Sequence, residues 1–135
     1  MKKHLICLIA FFFYLSIYHE VQAEEWIPFT KSMHAYHHYD PEVVTSSISS
    51  AIKRVGVKQV FTDSGVEDLQ RKLGKTVTYA IAVVEINCQT REARTLFVEL
   101  FNNNISVSKE KKTTKWKLMN QGGTNSVLSE IVCKR

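Results

Sequence analysis

Apolar and polar residues alternate most clearly in the middle of the chain, over residues 76–88 and 91–101. Alternation with a period of two is typical of a β-strand, so both segments are predicted strands. Their short separation predicts an antiparallel hairpin. In the first strand the parity of the apolar positions changes between Val83 and Val84. That change predicts either a bulge or a strand that is buried on both faces.

Weaker strand patterns flank this hairpin. The predicted short strands are residues 35–39, 54–62, 105–108 and 113–118. The Asp-Ser-Gly segment at 63–65 is a predicted turn. Apolar residues at helical spacing over 66–73 predict a short helix or a basic loop. Residues 42–50 are rich in Ser and Thr, and their pattern is ambiguous.

Helical spacing returns near the C-terminus. The apolar positions there are Val127, Leu128, Ile131 and Val132. They form one stripe, and the Thr-Asn-Ser segment at 124–126 offers candidate N-caps. Cys133 falls almost opposite that stripe, so either the helix ends by Val132 or the segment is not regular helix. The predicted fold is α+β, an antiparallel sheet of about five or six strands with a C-terminal helix packed on one face.

The first 23 residues have the layout of a secretory signal peptide. Lys2 and Lys3 precede an apolar run over residues 5–18, and Val-Gln-Ala at 21–23 is a cleavage site by pattern. The run is shorter than the roughly 20 residues of a membrane-spanning helix. Cys7 lies inside the run rather than after it, so we expect it to be removed with the signal. The predicted product is an exported single domain, residues 24–135, without a lipid anchor.

Removal of the signal leaves a small and mildly basic protein. A chain of 135 residues loses 23 and keeps 112, which suits one domain. The formal charge falls from +5 to +4, because Lys2, Lys3 and Glu20 leave together. Cys88 and Cys133 remain, and an even pair in an exported chain predicts a disulfide that pins the helix to a strand end. With both thiols consumed, and with no catalytic motif recognisable, the protein is predicted not to be an enzyme.

Three histidines form the tightest cluster of candidate metal ligands, at His34, His37 and His38. On a strand, His34 and His38 would share one face at about 13 Å from each other, which is too far to share one ion. Closed zinc sites need three or four converging ligands. The pattern therefore favours a polar, aromatic strand face, with a haem or metal site as the alternative.

Basic residues cluster in two places. The first group is Arg71, Lys72 and Lys75, and the second includes Lys109, Lys111 and Lys112. Each lysine taken alone is ordinary solvated surface. As groups on an exported protein they suit a docking face for acidic or heparin-like partners. The predicted compartment argues against a nucleic-acid ligand.

Several segments together resemble the surface-adhesin protein E family. The residues that carry the resemblance are 38–43, 85–88, 94–101, 109–112 and 127–133. They include both cysteines with their flanks and the His-Tyr-Asp-Pro-Glu-Val segment. Their order and spacing agree with the family over most of residues 34–134.

The resemblance implies an antiparallel sheet with a C-terminal helix fastened by the disulfide, and dimers in some members. It also implies adhesion without catalysis, through host extracellular-matrix or serum proteins such as vitronectin, laminin and plasminogen, with haem binding known as well. The family's vitronectin site uses a basic pair ahead of the strand that ends in the first cysteine. Lys75 is the nearest match, with Arg71 and Lys72 close by. We therefore predict an adhesin-like protein in the periplasm or at the cell surface; the alternative is a periplasmic protein that binds haem or a metal ion.

Overall fold

A computed structural model describes residues 25–134, so the predicted signal peptide and Cys7 lie outside the described residues. The strands are β1 (Ile27–Lys31), β2 (Ala35–Tyr39), β3 (Val44–Thr45), β4 (Ile52–Phe61), β5 (Tyr79–Asn87), β6 (Glu92–Asn102), β7 (Ile105–Glu110) and β8 (Lys117–Leu118). The helices are α1 (Asp63–Leu73) and α2 (Thr124–Val132). Within these residues no helix is long and apolar enough to cross a membrane.

All strand pairs in the sheet are antiparallel, in the order β1-β2-β4-β5-β6-β7, with β3 beside β4 and β8 beside β6. This confirms the predicted antiparallel sheet and its C-terminal helix. The sheet has eight strands rather than five or six, and the two additional strands are β1 and β3. In β1 a register shift between Pro28 and Thr30 breaks the period of two, and β3 is only two residues long. Of the predicted strand at 113–118, only residues 117 and 118 form a strand, β8.

The core lies between α2 and one face of the sheet. Val55 and Val57 of β4 pair with Val84 and Ala82 of β5, so their side chains share that face. The buried cluster comprises Tyr39, Val55, Val57, Val84, Ile86, Ala93, Leu128 and Val132. Helix α2 has nine residues, too few to be stable alone in water, so packing on this face holds it in place.

The Cys88–Cys133 disulfide joins the end of β5 to the end of α2, as predicted. Helix α2 ends at Val132, and Cys133 is its C-cap. Of the two alternatives for this segment, the first is therefore confirmed: the helix ends before Cys133 would have to lie opposite the apolar stripe. None of the three candidate N-caps is the N-cap of α2. Gly123 is the N-cap and makes no side-chain hydrogen bond there, so Thr124, Asn125 and Ser126 form the first turn.

The register shift predicted near Val83 is present, but the extra residue belongs to the partner strand. Val83 pairs with Phe97 and Val84 pairs with Thr95, which leaves Leu96 of β6 unpaired. Strand β5 itself alternates regularly and carries apolar residues on both faces. Its second face is partly buried: Tyr79 stacks on Phe101 of β6 at 4.7 Å between ring centroids.

Helix α1 begins earlier than predicted, because residues 63–65 form its first turn and not a separate turn. Thr62 is the N-cap, and its hydroxyl oxygen accepts a hydrogen bond from the Gly65 N–H. A Cβ at Gly65 would lie 2.1 Å from the His34 carbonyl oxygen, so only glycine lets the helix approach the chain there. Gly74 ends the helix with a left-handed φ of 67°.

A buried carboxylate braces the second face of the sheet. Glu85 is 2% exposed, and its two oxygens accept hydrogen bonds from Arg54 at 2.8 Å and Arg94 at 2.7 Å. The Arg94 guanidinium in turn lies over the Trp116 ring. Burial alone would raise the pKa of Glu85, but the two arginines outweigh it and hold that pKa below its ordinary value.

We expect Glu85→Gln to lower the free energy of unfolding at pH 7 by about 2 kcal/mol, since hydrogen bonds to charged groups contribute roughly that much. A folded-state pKa below the unfolded one stabilises the fold above the unfolded pKa, and this contribution is lost as pH falls through the folded value. The wild type should therefore lose more stability than the variant between pH 7 and pH 3 in urea unfolding. Glu130→Gln, at an exposed position, is the control. Equal acid sensitivity in wild type and Glu85→Gln would contradict this assignment.

Candidate functional site

The last turn of α1 presents two exposed cations. The side chains of Arg71 and Lys72 are 78% and 67% exposed, and both are paired with Asp68 of the same helix, at 3.7 Å and 2.7 Å. The hydrogen bond from Lys72 is the main cause that lowers the pKa of Asp68. One carboxylate thus partners two cations, and the helix end keeps a net positive charge. Exposed pairs of this kind stabilise little and leave the cations available to a partner.

Lys75 links this helix end to the edge of the sheet. It follows the C-cap Gly74, and its Nζ donates a hydrogen bond to the Val107 carbonyl oxygen of β7 at 3.4 Å. Val107 is the bulged residue of β7, because Leu100 pairs with Ser108 while Phe101 pairs with Ser106. The contact therefore brings the first basic group against the strand that leads to the second.

The second basic group continues along and beyond β7. Lys109 lies 3.6 Å from Glu99 and 5.5 Å from the centroid of the Phe97 ring, so one carboxylate and one aromatic face hold it. Lys111 and Lys112 follow β7 and are exposed, and they form no ion pair with the described residues. At about 3.3 Å per residue, Lys111 is within roughly 13 Å of Val107 along the chain. We call residues Arg71, Lys72, Lys75, Lys109, Lys111 and Lys112 together the basic surface.

The three histidines do not converge. His37 is 6% exposed on the same sheet face as Tyr39, while His38 points to the opposite face. His34 lies before β2, exposed, where its carbonyl oxygen accepts a hydrogen bond from Thr62. Burial, and then the charge of His38, lower the pKa of His37. Within residues 25–134 no group of three His, Cys, Asp or Glu residues could hold a metal ion.

Two features had no counterpart in the sequence prediction. On the second face of the sheet, the Nζ atom of Lys58 lies 4.9 Å from the Tyr79 ring centroid and 5.8 Å from the Trp26 ring centroid. This lysine therefore contacts two aromatic rings. On the first face, a cavity opens beside the N-terminus of α2. The aromatic residues were visible in the sequence, but their alignment depends on strand register. The cavity depends on alanines in adjacent strands, and their spacing along the chain gives no signal.

The comparison with known families rests on nearly the whole described chain. The family model described as "Surface-adhesin protein E" matches residues 26–134. No curated protein and no solved structure matches the chain significantly. The match spans the sheet, both helices, the disulfide and the basic surface. The chain therefore belongs to the surface-adhesin protein E family.

Proposed function

We propose that the protein is an adhesin that binds host extracellular-matrix or serum proteins, with vitronectin and laminin as the first candidates and plasminogen next, through the basic surface. Membership in a family of surface adhesins implies an exported, cell-surface and non-enzymatic protein. The observation that supports this site most directly is the contact of Lys75 with Val107, because it joins two basic groups that are more than 30 residues apart in the sequence.

The charge balance of the basic surface supports an acidic partner. Six cations are accompanied by three carboxylates, since Asp68 and Glu99 form ion pairs with them and the exposed Glu110 lies between Lys109 and Lys111, so the surface keeps a net positive charge. Such a surface accelerates encounter with a negatively charged partner and acts mainly on the association rate. Because the cations are exposed, their effect is screened once the Debye length falls to a few ångströms at high salt.

The triple variant Arg71→Ala, Lys72→Ala, Lys75→Ala tests this proposal. We expect its dissociation constant for immobilised vitronectin or laminin to rise about tenfold at low salt, mostly through slower association. Surface plasmon resonance at low and high salt measures both rates. The difference between wild type and variant should shrink as salt increases.

A matched control removes the same charge elsewhere. Lys31, Lys53 and Lys134 lie outside both basic groups, so their replacement by alanine changes the net charge equally at other positions. We expect this control to bind almost as well as the wild type. Equal weakening in both triple variants would show that net charge, and not this surface, governs binding. Absence of wild-type binding to both matrix proteins at low salt would refute the choice of partners.

The haem or metal alternative is tested separately by titration with hemin. A shift of the Soret band that disappears in His37→Ala and His38→Ala would favour it over adhesion. The divergent directions of the three histidines give it no support within residues 25–134.

A further inference from the structure

A cavity of about 500 Å³ lies on the sheet face that α2 covers only in part. Its floor is built from small side chains of three adjacent strands, with Ala80 and Ala82 from β5, Val98 from β6 and Val57 from β4. Its wall is the segment from Lys117 to Asn120 together with the first turn of α2. Ligand pockets of small molecules have volumes of roughly 300–1,000 Å³, so the size suits a small organic ligand.

The first turn of α2 offers backbone donors to this cavity. The first N–H groups of a helix have no partner inside the helix, and the aligned peptide dipoles add a partial positive charge there. An N-terminal cap or an acidic residue usually satisfies this end. Helix α2 has neither, since its N-cap is Gly123 without a side-chain bond and its first turn contains no acidic residue. Gly123, Thr124, Asn125 and Ser126 all line the cavity.

Ser126 provides a second and independent indication of a polar ligand. The residue is 5% exposed and lines the cavity, yet its hydroxyl forms no hydrogen bond with the residues between 25 and 134. The hydroxyl oxygen is not one of the fully enclosed side-chain atoms that lack a partner, so it keeps some accessible surface, and the residue lines the cavity. A hydroxyl in this position can bond water or a ligand that enters the cavity, and a ligand with its own acceptor replaces that water without loss of the hydrogen bond.

The charges around the cavity favour an anion. No Asp or Glu lines it, whereas Lys117 does, and Lys117 forms no ion pair with the described residues. Arg94 also lines the cavity, but its guanidinium is already engaged by Glu85 and Trp116. One available cation, one hydroxyl and one helix N-terminus suit a single negative charge. The alanine and valine part of the lining suits a short apolar body, beside the polar residues Gln59, Thr95 and Thr114.

We propose that this cavity binds a small amphipathic carboxylate, such as a medium-chain fatty acid. The carboxylate accepts hydrogen bonds from the first turn of α2 and from Ser126, close to Lys117, and the hydrocarbon chain lies on the alanine floor. This site is separate from the basic surface and does not depend on the adhesin function.

Octanoate and 1-octanol are the matched probes, because they share a chain length and differ in charge. The protein is purified in oxidised form from the periplasm of an expression host. Titration calorimetry should show that it binds octanoate at least tenfold more tightly than 1-octanol. In ¹⁵N–¹H NMR spectra the amides of Thr124, Asn125 and Ser126 should shift on addition of octanoate.

Asn125→Asp distinguishes a bound anion from simple apolar binding. It places a fixed carboxylate in the first turn at an exposed position, where it favours the helix and competes with the ligand. We expect it to weaken octanoate binding at least tenfold and to leave 1-octanol binding unchanged. Asn104→Asp makes the same chemical change in an exposed turn outside the cavity and should have no effect. Ala82→Leu fills the floor and should abolish binding of both probes.

Three results would overturn the proposal. They are no octanoate binding to the folded protein, equal affinity for the two probes, or unchanged octanoate binding in Asn125→Asp. The triple variant of Arg71, Lys72 and Lys75 should bind octanoate normally. Loss of adhesion therefore leaves this proposal intact, and loss of octanoate binding leaves the adhesin proposal intact.

Discussion

Removal of the Cys88–Cys133 disulfide should lower the free energy of unfolding by about 4 kcal/mol. The bond closes a loop with a sequence separation of 45 residues, and the chain-entropy model assigns about that value to a closure of this length. A small domain has a total of only about 5–15 kcal/mol, so the variant should be close to unfolding at 37 °C. The measurement is urea unfolding of Cys88→Ser, Cys133→Ser against the oxidised wild type.

Reduced wild type is the control for the serine substitutions. If the loss comes from the covalent link, the reduced protein and the double variant should unfold at nearly the same urea concentration. A difference of less than 1 kcal/mol between oxidised and reduced protein would contradict the prediction. It would mean that residual structure already restricts the unfolded chain about as much as the bond does.

Leu128→Ala should cost about 3–4 kcal/mol, the second largest effect that we expect. Leu128 is 0% exposed in the centre of α2, where it packs with Val55, Val57 and Ile86 from the sheet. Leucine-to-alanine changes in a core lose the transfer free energy of the removed groups and leave a cavity, at a cost of roughly 2–5 kcal/mol. Because α2 is short and depends on this packing, we also expect increased amide hydrogen exchange throughout the helix.

Leu118→Ala is the matched control, since Leu118 is 73% exposed in β8. The same atoms are removed there from a position that already faces solvent, and the change should be within about 0.5 kcal/mol. Similar losses for the two variants, measured by urea unfolding, would mean that Leu128 does not anchor the helix.

The central hairpin and the C-terminal helix could be predicted because local patterns determine them. Two local patterns are involved, the alternation over β5 and β6 and the helical stripe ending at Val132. Both can be recognised without knowing how the rest of the chain folds. Strand β1 was missed because Pro28 and the bulge after it disturb the alternation. The Asp-Ser-Gly segment at 63–65 was assigned as a turn because its composition favours turns. Its helical state depends on the cap by Thr62 and on contact with His34.

The two cysteines could be paired from the sequence, since only one pairing exists in the predicted mature chain. The six basic residues could also be recognised in the sequence as two groups. That the two groups lie side by side depends on the hydrogen bond from Lys75 to Val107 of β7, which is distant in the sequence. No local pattern encodes such a contact. The same is true of the cavity beside α2, because its floor combines residues from β4, β5 and β6.

The two longer edge strands of the sheet, β1 and β7, each carry an irregularity that limits how copies of the chain can pair. Regular edge strands are templates on which another chain can add by hydrogen bonding, which leads to aggregation. At β1 the ladder is interrupted by Pro28, which has no N–H to donate, and by the register shift after it. At β7 the bulge at Val107 turns a carbonyl toward Lys75, which occupies it. A neighbouring molecule that approaches β1 or β7 therefore meets a broken row of donors and acceptors, and β3 and β8 are only two residues long, so we expect the edges of this sheet to resist joining into fibrils.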